Sequence, residues 1–449
     1  MLVTRRLSGS VVDPLGIGRS LAHRPGLAVL ASGDVAAPHG RYSYVACDPE
    51  GEVRSFDPLE GAVAAARPTE PFAFAPRFVG AVPYEAQRCR LERAGWAPRE
   101  SRPLPLTTDV WWARYPAVIV IDHVRGESHV VGESEGAVRD LERAAATAPS
   151  SPADFELAVQ DPEPPEAHVA RVARAIELIR AGDLYQVNLA RRLALRLCGH
   201  AGGAPDPAAA FACFARMTAA APSAFGALVA APGGGAVLST SPELALDASP
   251  SEDGRAFSAL VTEPIKGTRP RGDDAETDAA LARELDLDEK ERAELSMIID
   301  VERNDLARVS ARGSVEVAGA PRVVTHRTVH HRVATVRGRA RSDASRAEVL
   351  EAMIPSGSVT GAPKVRAMEV IASLEPARRG LYTGALGYVG WDGSMRLSMA
   401  IRTAVFGPDG VGEYGVGGGI VVDSDPAREL EETRWKSLQL QKIVRGGRP

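Results

Sequence analysis

The most restrictive stretch of this chain is a run of three glycines inside an apolar segment, Val416-Gly-Gly-Gly-Ile-Val-Val422. Glycine weakens a strand interior, so a triple glycine marks a place where a ligand or another backbone comes close. Just beyond it, Asp425-Pro426 opens a helix by N-cap and first-turn preference. On that helix Glu429, Glu432 and Lys436 fall on one face at spacings i, i+3 and i+7. The fold must therefore set a bare strand beside an acidic helix face.

A second acidic face lies far upstream. The stretch Thr277 to Asp300 reads as helical, with Leu281, Leu285, Leu295, Ile298 and Ile299 as apolar anchors. Glu291 and Glu294 share one side of it, and paired carboxylates suit a hard cation such as Mg²⁺. The run Asp286-Leu-Asp-Glu-Lys-Glu-Arg292 also has the composition of a solvated helix face. Two acidic faces plus a glycine strand make a site for Mg²⁺ and an organic acid more plausible than either piece alone. Between them stands Lys266, one of five lysines, framed by Pro264 and Gly267. It reads either as a surface lysine in a turn or as a nucleophile, which needs a neutral amine favoured by burial or by cations such as Arg269 and Arg271. Glu243, after the proline of Ser239-Thr-Ser-Pro-Glu243, is either an exposed loop residue or a carboxylate presented to a site.

Elsewhere, short β-like runs at Leu27–Leu30, Tyr42–Ala46, Phe78–Val82 and Ala117–Ile121 make residues 1–143 a sheet-rich unit. A short helix is expected at Glu85–Glu92, and residues 144–166, rich in Pro, Ser, Ala and acids, read as a linker. The remainder, 167–449, begins with a helix over His168–Arg180 and a strand over Asp183–Ala190. One face of that strand carries Gln186 and Asn188, so it could line a pocket. A hairpin follows around Pro232-Gly-Gly-Gly235, and Pro355 to Lys364 is a glycine-punctuated turn running into a helix. Gly384–Tyr388 and Met399–Thr403 read as strands before the glycine strand.

Several function classes lose support. With 449 residues and 45% hydrophobic composition the chain can bury a large core, yet its net charge of −5 offers no basic surface for nucleic acid. No secretory apolar region and no run near the ~20 residues of a membrane span occurs, so a cytoplasmic protein away from membranes is expected. Cys47, Cys89, Cys198 and Cys213 form no CxxC pair, and the histidines of Thr325–Arg332 match no zinc motif. No GxxxxGK[ST] loop is present.

The segments GDLYQVNLARR, STSPEL, PIKGTRPRG, ELSMIIDVERNDLARV, PSGSVTGAPKVRAMEVI, GALGYVG, AIRTAV and GVGGGIVVDSDPARELEETRWK, in this order, resemble the chorismate-utilising enzymes. The resemblance is dense over about 165–445 and looser in the N-terminal region. It implies an α/β sandwich of two large, mainly antiparallel sheets with helices outside. Members that add water carry a lysine where this chain has Gln186, so the resemblance points to the ammonia users. Among these, Lys266 is similar to the aminodeoxychorismate synthases, where anthranilate synthases have alanine. It implies that Lys266 attacks C2 of chorismate, that Glu243 protonates the leaving C4 hydroxyl, and that His331 lies near the ring. Glu294 and Glu432 would hold Mg²⁺ with support from Glu291 and Glu429. Tyr388, Arg402 and the amides of Gly417, Gly418 and Gly419 would bind the enolpyruvyl carboxylate. Thr268, Ser358 and Lys436 would complete the substrate site. Ammonia is expected from a separate glutaminase subunit. Anthranilate synthase component I and a catalytically silent homologue are the alternative readings.

Overall fold

The computed structural model describes residues 2–7, 13–54, 71–87, 106–107, 109–147, 153–199, 206–231, 233–251 and 257–444. Two large sheets carry the fold, one of twelve strands and one of nine among the described residues, and a three-stranded sheet sits beside them. The pairings are antiparallel, which makes the expected sandwich. The strand Ala117–Asp122 shows why. Val118 and Val120 point into the layer between the sheets with Tyr44, Val79, Trp111 and Leu386, while Ile119 and Ile121 point outward beneath helices. Both faces are covered, so the strand reads as continuous apolar sequence, and each such side chain contributes about 1.5–3 kcal/mol by leaving water. Phe211, Phe214 and Met217 of the helix Pro207–Ala220 cover the outer face of the larger sheet. The helices Glu289–Ala307 and Arg346–Met353 cover the smaller one.

Strands from the first 143 residues join both large sheets: Ala28–Ala31 pairs with Phe225–Ala230, and Pro76–Val82 with Ala385–Gly390. The stretch expected as linker contains a strand, Glu156–Gln160, paired with Ala194–Cys198. Alternation of exposed Glu156, Ala158 and Gln160 with Leu157 and Val159 accounts for it. At Glu85–Glu92 only a 3₁₀ turn, Tyr84–Gln87, is described; residues 88–92 and Cys89 lie outside the described residues. No described helix is long and apolar enough to cross a membrane.

Two expectations need correction. Met399–Thr403 is not a strand: strands end at Met399 and begin at Thr403, and Arg402 between them has φ 52°, a left-handed backbone that turns the chain. Thr277–Asp300 is not one helix but parts of two, Ala275–Leu287 and Glu289–Ala307. Asp288 has extended backbone and accepts the Glu291 N–H at 3.1 Å, capping the second helix while also accepting from Arg269 Nη2 at 2.8 Å. This break aims the second acidic helix at the strand Ile265–Pro270. Asp288→Ala is expected to lose about 1–2 kcal/mol of unfolding free energy, measured by urea denaturation, since it removes a cap and a charge partner.

Candidate active site

The long strand Gln186–Cys198 pairs with the glycine strand Val411–Ile420 so that Asn188, Leu189 and Ala190 face Gly419, Gly418 and Gly417. The amides of Asn188 and Ala190 turn away, donating to Thr360 O at 2.8 Å and to Glu375 Oε1 at 2.9 Å. In an antiparallel ladder a residue's N–H and C=O point to the same side, so Gly417 and Gly419 belong to pairs without mutual hydrogen bonds. Their amides face the strand's other edge, where Gly417 O accepts Lys436 Nζ at 2.7 Å. Gly418 instead faces Leu189 within the ladder.

Each glycine makes room for a different group. A Cβ on Gly415 would meet the Tyr382 ring at 2.1 Å, and one on Gly417 the Tyr382 hydroxyl at 2.9 Å. On Gly418 it would meet the carboxylates of Glu429 and Glu432 at 3.1 and 3.4 Å. On Gly419 it would lie 2.9 Å from Gln186 Nε2 and 3.5 Å from Lys266 Nζ. The bare strand thus brings tyrosine, carboxylates, amide and lysine around one backbone.

Lys266 enters from the three-stranded sheet. Its neighbour Gly267 has φ 87°, and a Cβ there would strike Leu285 at 2.6 Å, so the bend that delivers Lys266 needs glycine. Lys266 Nζ donates to Ser358 O at 3.5 Å, and Ser358 Oγ donates to Glu243 Oε1 at 2.7 Å. Lysine and glutamate therefore meet at one serine. Glu243 is 5% exposed, and burial raises its pKa against the lowering effects of Ser358 and Lys266. Thr268 of the lysine strand pairs with His331 of the neighbouring strand Val329–Val333, with Thr268 Oγ1 3.0 Å from His331 Nδ1. Burial, then the Arg402 charge, pushes His331 down to about 3, which keeps the imidazole neutral, and its Nε2 is buried without a hydrogen-bond partner. Both polar atoms of the fully buried Gln186 amide likewise lack a partner. Buried polar atoms of this kind are costly unless a ligand satisfies them.

The acidic helices close the other side. Glu429 Oε1 accepts Ser424 Oγ at 2.6 Å, while its Oε2 is buried and unpartnered. Burial and then Glu432 raise the Glu429 pKa; burial, Glu294 and Asp288 do the same for Glu291. Glu432 has a half-exposed side chain; its partial desolvation is outweighed by the Lys436 charge, 2.6 Å away, with help from Lys266 and Lys290, so its pKa is lowered. Lys290 lies 3.8 Å from Glu294 and its charge also reaches Glu429, so the two helices share cations. Among the described residues no three His, Cys, Asp or Glu side chains are gathered as a ready metal cluster. The donor set is nonetheless all carboxylate oxygen with one orphan atom, which fits a hard cation such as Mg²⁺.

Residues 35–442 match the family model described as chorismate binding enzyme. The chain belongs to the chorismate binding enzymes. It is 43% identical over 275 residues to anthranilate synthase component 1 of Streptomyces coelicolor, covering 61% of this chain and 50% of that protein. To the aminodeoxychorismate synthase of Streptomyces griseus it is 38% identical over 395 residues, 84% of this chain and 51% of that one. The chain thus spans about half the length of these two relatives. Anthranilate synthase component I of Streptococcus pneumoniae superposes with TM-score 0.73 at 28% identity, over 89% of this chain and 92% of its own.

In this chorismate binding enzyme hydrogen bonds join Lys266, Ser358 and Glu243, Gln186 and Lys266 both border Gly419, and His331 lies against Thr268 and within reach of the Arg402 charge. Glu291, Glu294, Glu429, Glu432 and Lys436 line the acidic side. Tyr388 does not join them. It lies in the apolar layer between the sheets, its hydroxyl 3.4 Å from that of Tyr44. Tyr382, six residues earlier, occupies the position by the glycine strand. Thr383, with φ 62°, turns the chain between the two tyrosines, so strand alternation from Tyr388 does not reach back to Tyr382.

Proposed function

We propose that this chorismate binding enzyme aminates chorismate at C4 with ammonia, the reaction of aminodeoxychorismate synthase component I. The observation carrying this reading is Lys266, whose Nζ shares Ser358 with the buried acid Glu243 and lies beside the Gln186 amide. A neutral Gln186 amide cannot act as a general base toward water, which argues against hydroxylation. Lys266 bonds to C2 as the C4–O bond breaks, and Glu243 gives its proton to the departing hydroxyl, which leaves as water. Ammonia then bonds to C4, the C2–Nζ bond breaks, and Glu243 takes a proton from the new amine. Dividing one hard displacement into two keeps each leaving group within reach of one carboxyl.

Arg402, the Tyr382 hydroxyl and the amides of Gly417 and Gly419 would orient the enolpyruvyl carboxylate, and neutral His331 offers its free Nε2 to the ring substituents. Glu291, Glu294, Glu429 and Glu432 would hold Mg²⁺, which when bound supplies the charge that lets the C1 carboxylate approach four acidic side chains. Ammonia would come from a separate glutaminase subunit or from ammonium.

Purified protein with chorismate, ammonium and Mg²⁺ is expected to form 4-amino-4-deoxychorismate, converted to p-aminobenzoate only after a lyase is added. A chelator should abolish turnover and excess Mg²⁺ restore it. Anthranilate as the direct product would assign the chain to the other named activity of its relatives, and no turnover would leave a silent homologue.

A further inference from the structure

Glu302 is a carboxyl that the proposed reaction does not use, and its surroundings are unusual. It lies on the helix Glu289–Ala307 with 0% exposure. Its Oε1 lies 2.5 Å from Ser356 Oγ and accepts the Gly357 N–H at 2.9 Å, while its Oε2 is buried without a partner. Ser356 Oγ is 3.0 Å from Ser358 Oγ, with either hydroxyl able to donate. Ser358 Oγ in turn donates to Glu243 Oε1 at 2.7 Å. Two buried carboxyls are thus joined by two hydroxyls with no gap longer than 3.0 Å.

We propose that Glu302 is a proton reservoir for the site, exchanging one proton with Glu243 through Ser356 and Ser358. This rests on the amination reading for its purpose. In the acid form Glu302 Oε1–H donates to Ser356 Oγ, Ser356 donates to Ser358 and Ser358 to Glu243; before the hydroxyl leaves, the Glu302 proton passes to Ser356 Oγ as Ser356 passes its own to Ser358 and Ser358 passes its own to Glu243. At each oxygen one O–H bond forms as another breaks, and one proton has moved from Glu302 to Glu243. The proton lost in water is replaced by one from the incoming ammonia, which returns along the same hydroxyls. The two carboxyls end a turnover with the proton they began with.

The electrostatics agree. Burial and then Asp305 raise the Glu302 pKa to about 7, against Ser356 and Lys364. The charged or titratable groups facing it are Asp305, Lys364 and Glu243, and Lys364 is itself tied to Asp305 at 2.8 Å. An unpartnered Oε2 is tolerable on a neutral carboxylic acid and costly on a carboxylate. Isolation explains the need: Glu243 is enclosed, so its proton must travel by hydroxyls rather than by bulk water.

Infrared spectroscopy and kinetics test this on the full chain. Wild-type protein should show the carbonyl stretch of a buried carboxylic acid that titrates near neutral pH and disappears in Glu302→Gln, which keeps shape and acceptor oxygen. Glu302→Gln and Ser356→Ala should each lower kcat about tenfold at unchanged KM, below the roughly 10²-fold at which direct proton transfer begins. The double variant should be no slower than either single one, because both cut one chain. A wild-type protein without the band, full kcat in Glu302→Gln, or additive losses would overturn the relay while leaving amination intact. Failure of amination itself would appear as wild-type protein with the band but no aminated product, and would remove the relay's role.

Discussion

Glu243→Gln is expected to lower kcat for chorismate amination by about 10²- to 10⁴-fold, the range for a positioned general acid, with a smaller change in KM. The amide keeps the shape of the carboxyl and can still accept the Ser358 hydroxyl, so the loss reads the proton alone. The wild-type pH profile has a defined sign. Burial raises the Glu243 pKa despite Ser358 and Lys266, so the acid form persists above the usual carboxylate range. As pH rises through that raised value the acid is lost and kcat falls; Glu243→Gln should lack this limb. Stability follows the same group. A carboxyl raised in the folded state costs stability as pH climbs from its unfolded to its folded pKa. The variant should therefore equal wild type in acid and exceed it at higher pH, which rules out misfolding as the cause of lost activity.

Lys266→Ala should lower amination by roughly 10³-fold, about 4 kcal/mol of transition-state stabilisation, because it removes the nucleophile and leaves Glu243 to assist an undivided displacement. Lys266→Arg should not rescue it, since a guanidinium keeps its proton and cannot attack carbon. A change confined to KM would mean that Lys266 serves only as a cation near Glu291 and Glu432, whose charges it meets in the structure. Undiminished amination in Lys266→Ala would refute the covalent route.

The glycine strand, the two acidic helix faces, Lys266 and Glu243 were legible because each departs from what its local element needs. Three glycines weaken a strand, paired glutamates repel, and a lysine between proline and glycine is held where it is. Which groups meet was less legible, because it depends on turns. Arg402 and Thr383 both have positive φ without being glycine: Arg402 turns the chain between the strands that end at Met399 and begin at Thr403, and Thr383 turns it between Tyr382 at the glycine strand and Tyr388 in the core. Asp288 reads as one more acid in a charged run, yet its cap breaks one long helix into two. Glu302 reads as one acid among Asp300 and Asp305. Helical spacing nonetheless places it with buried Leu295, Ile299 and Leu306 at i, i+4, i+7 and i+11, and a charge on an apolar stripe is the signal that could have found it. The division at residue 143 follows composition, whereas the sheets are assembled by strand pairing across it.

The covalent bond at Lys266 can be observed without turnover. Protein incubated with chorismate and Mg²⁺ in the absence of ammonia, quenched and digested, should yield the Lys266 peptide heavier by chorismate less water, and the adduct should vanish when ammonium is added before quenching. An unmodified Lys266 peptide from protein that forms anthranilate once ammonium is supplied would contradict the account.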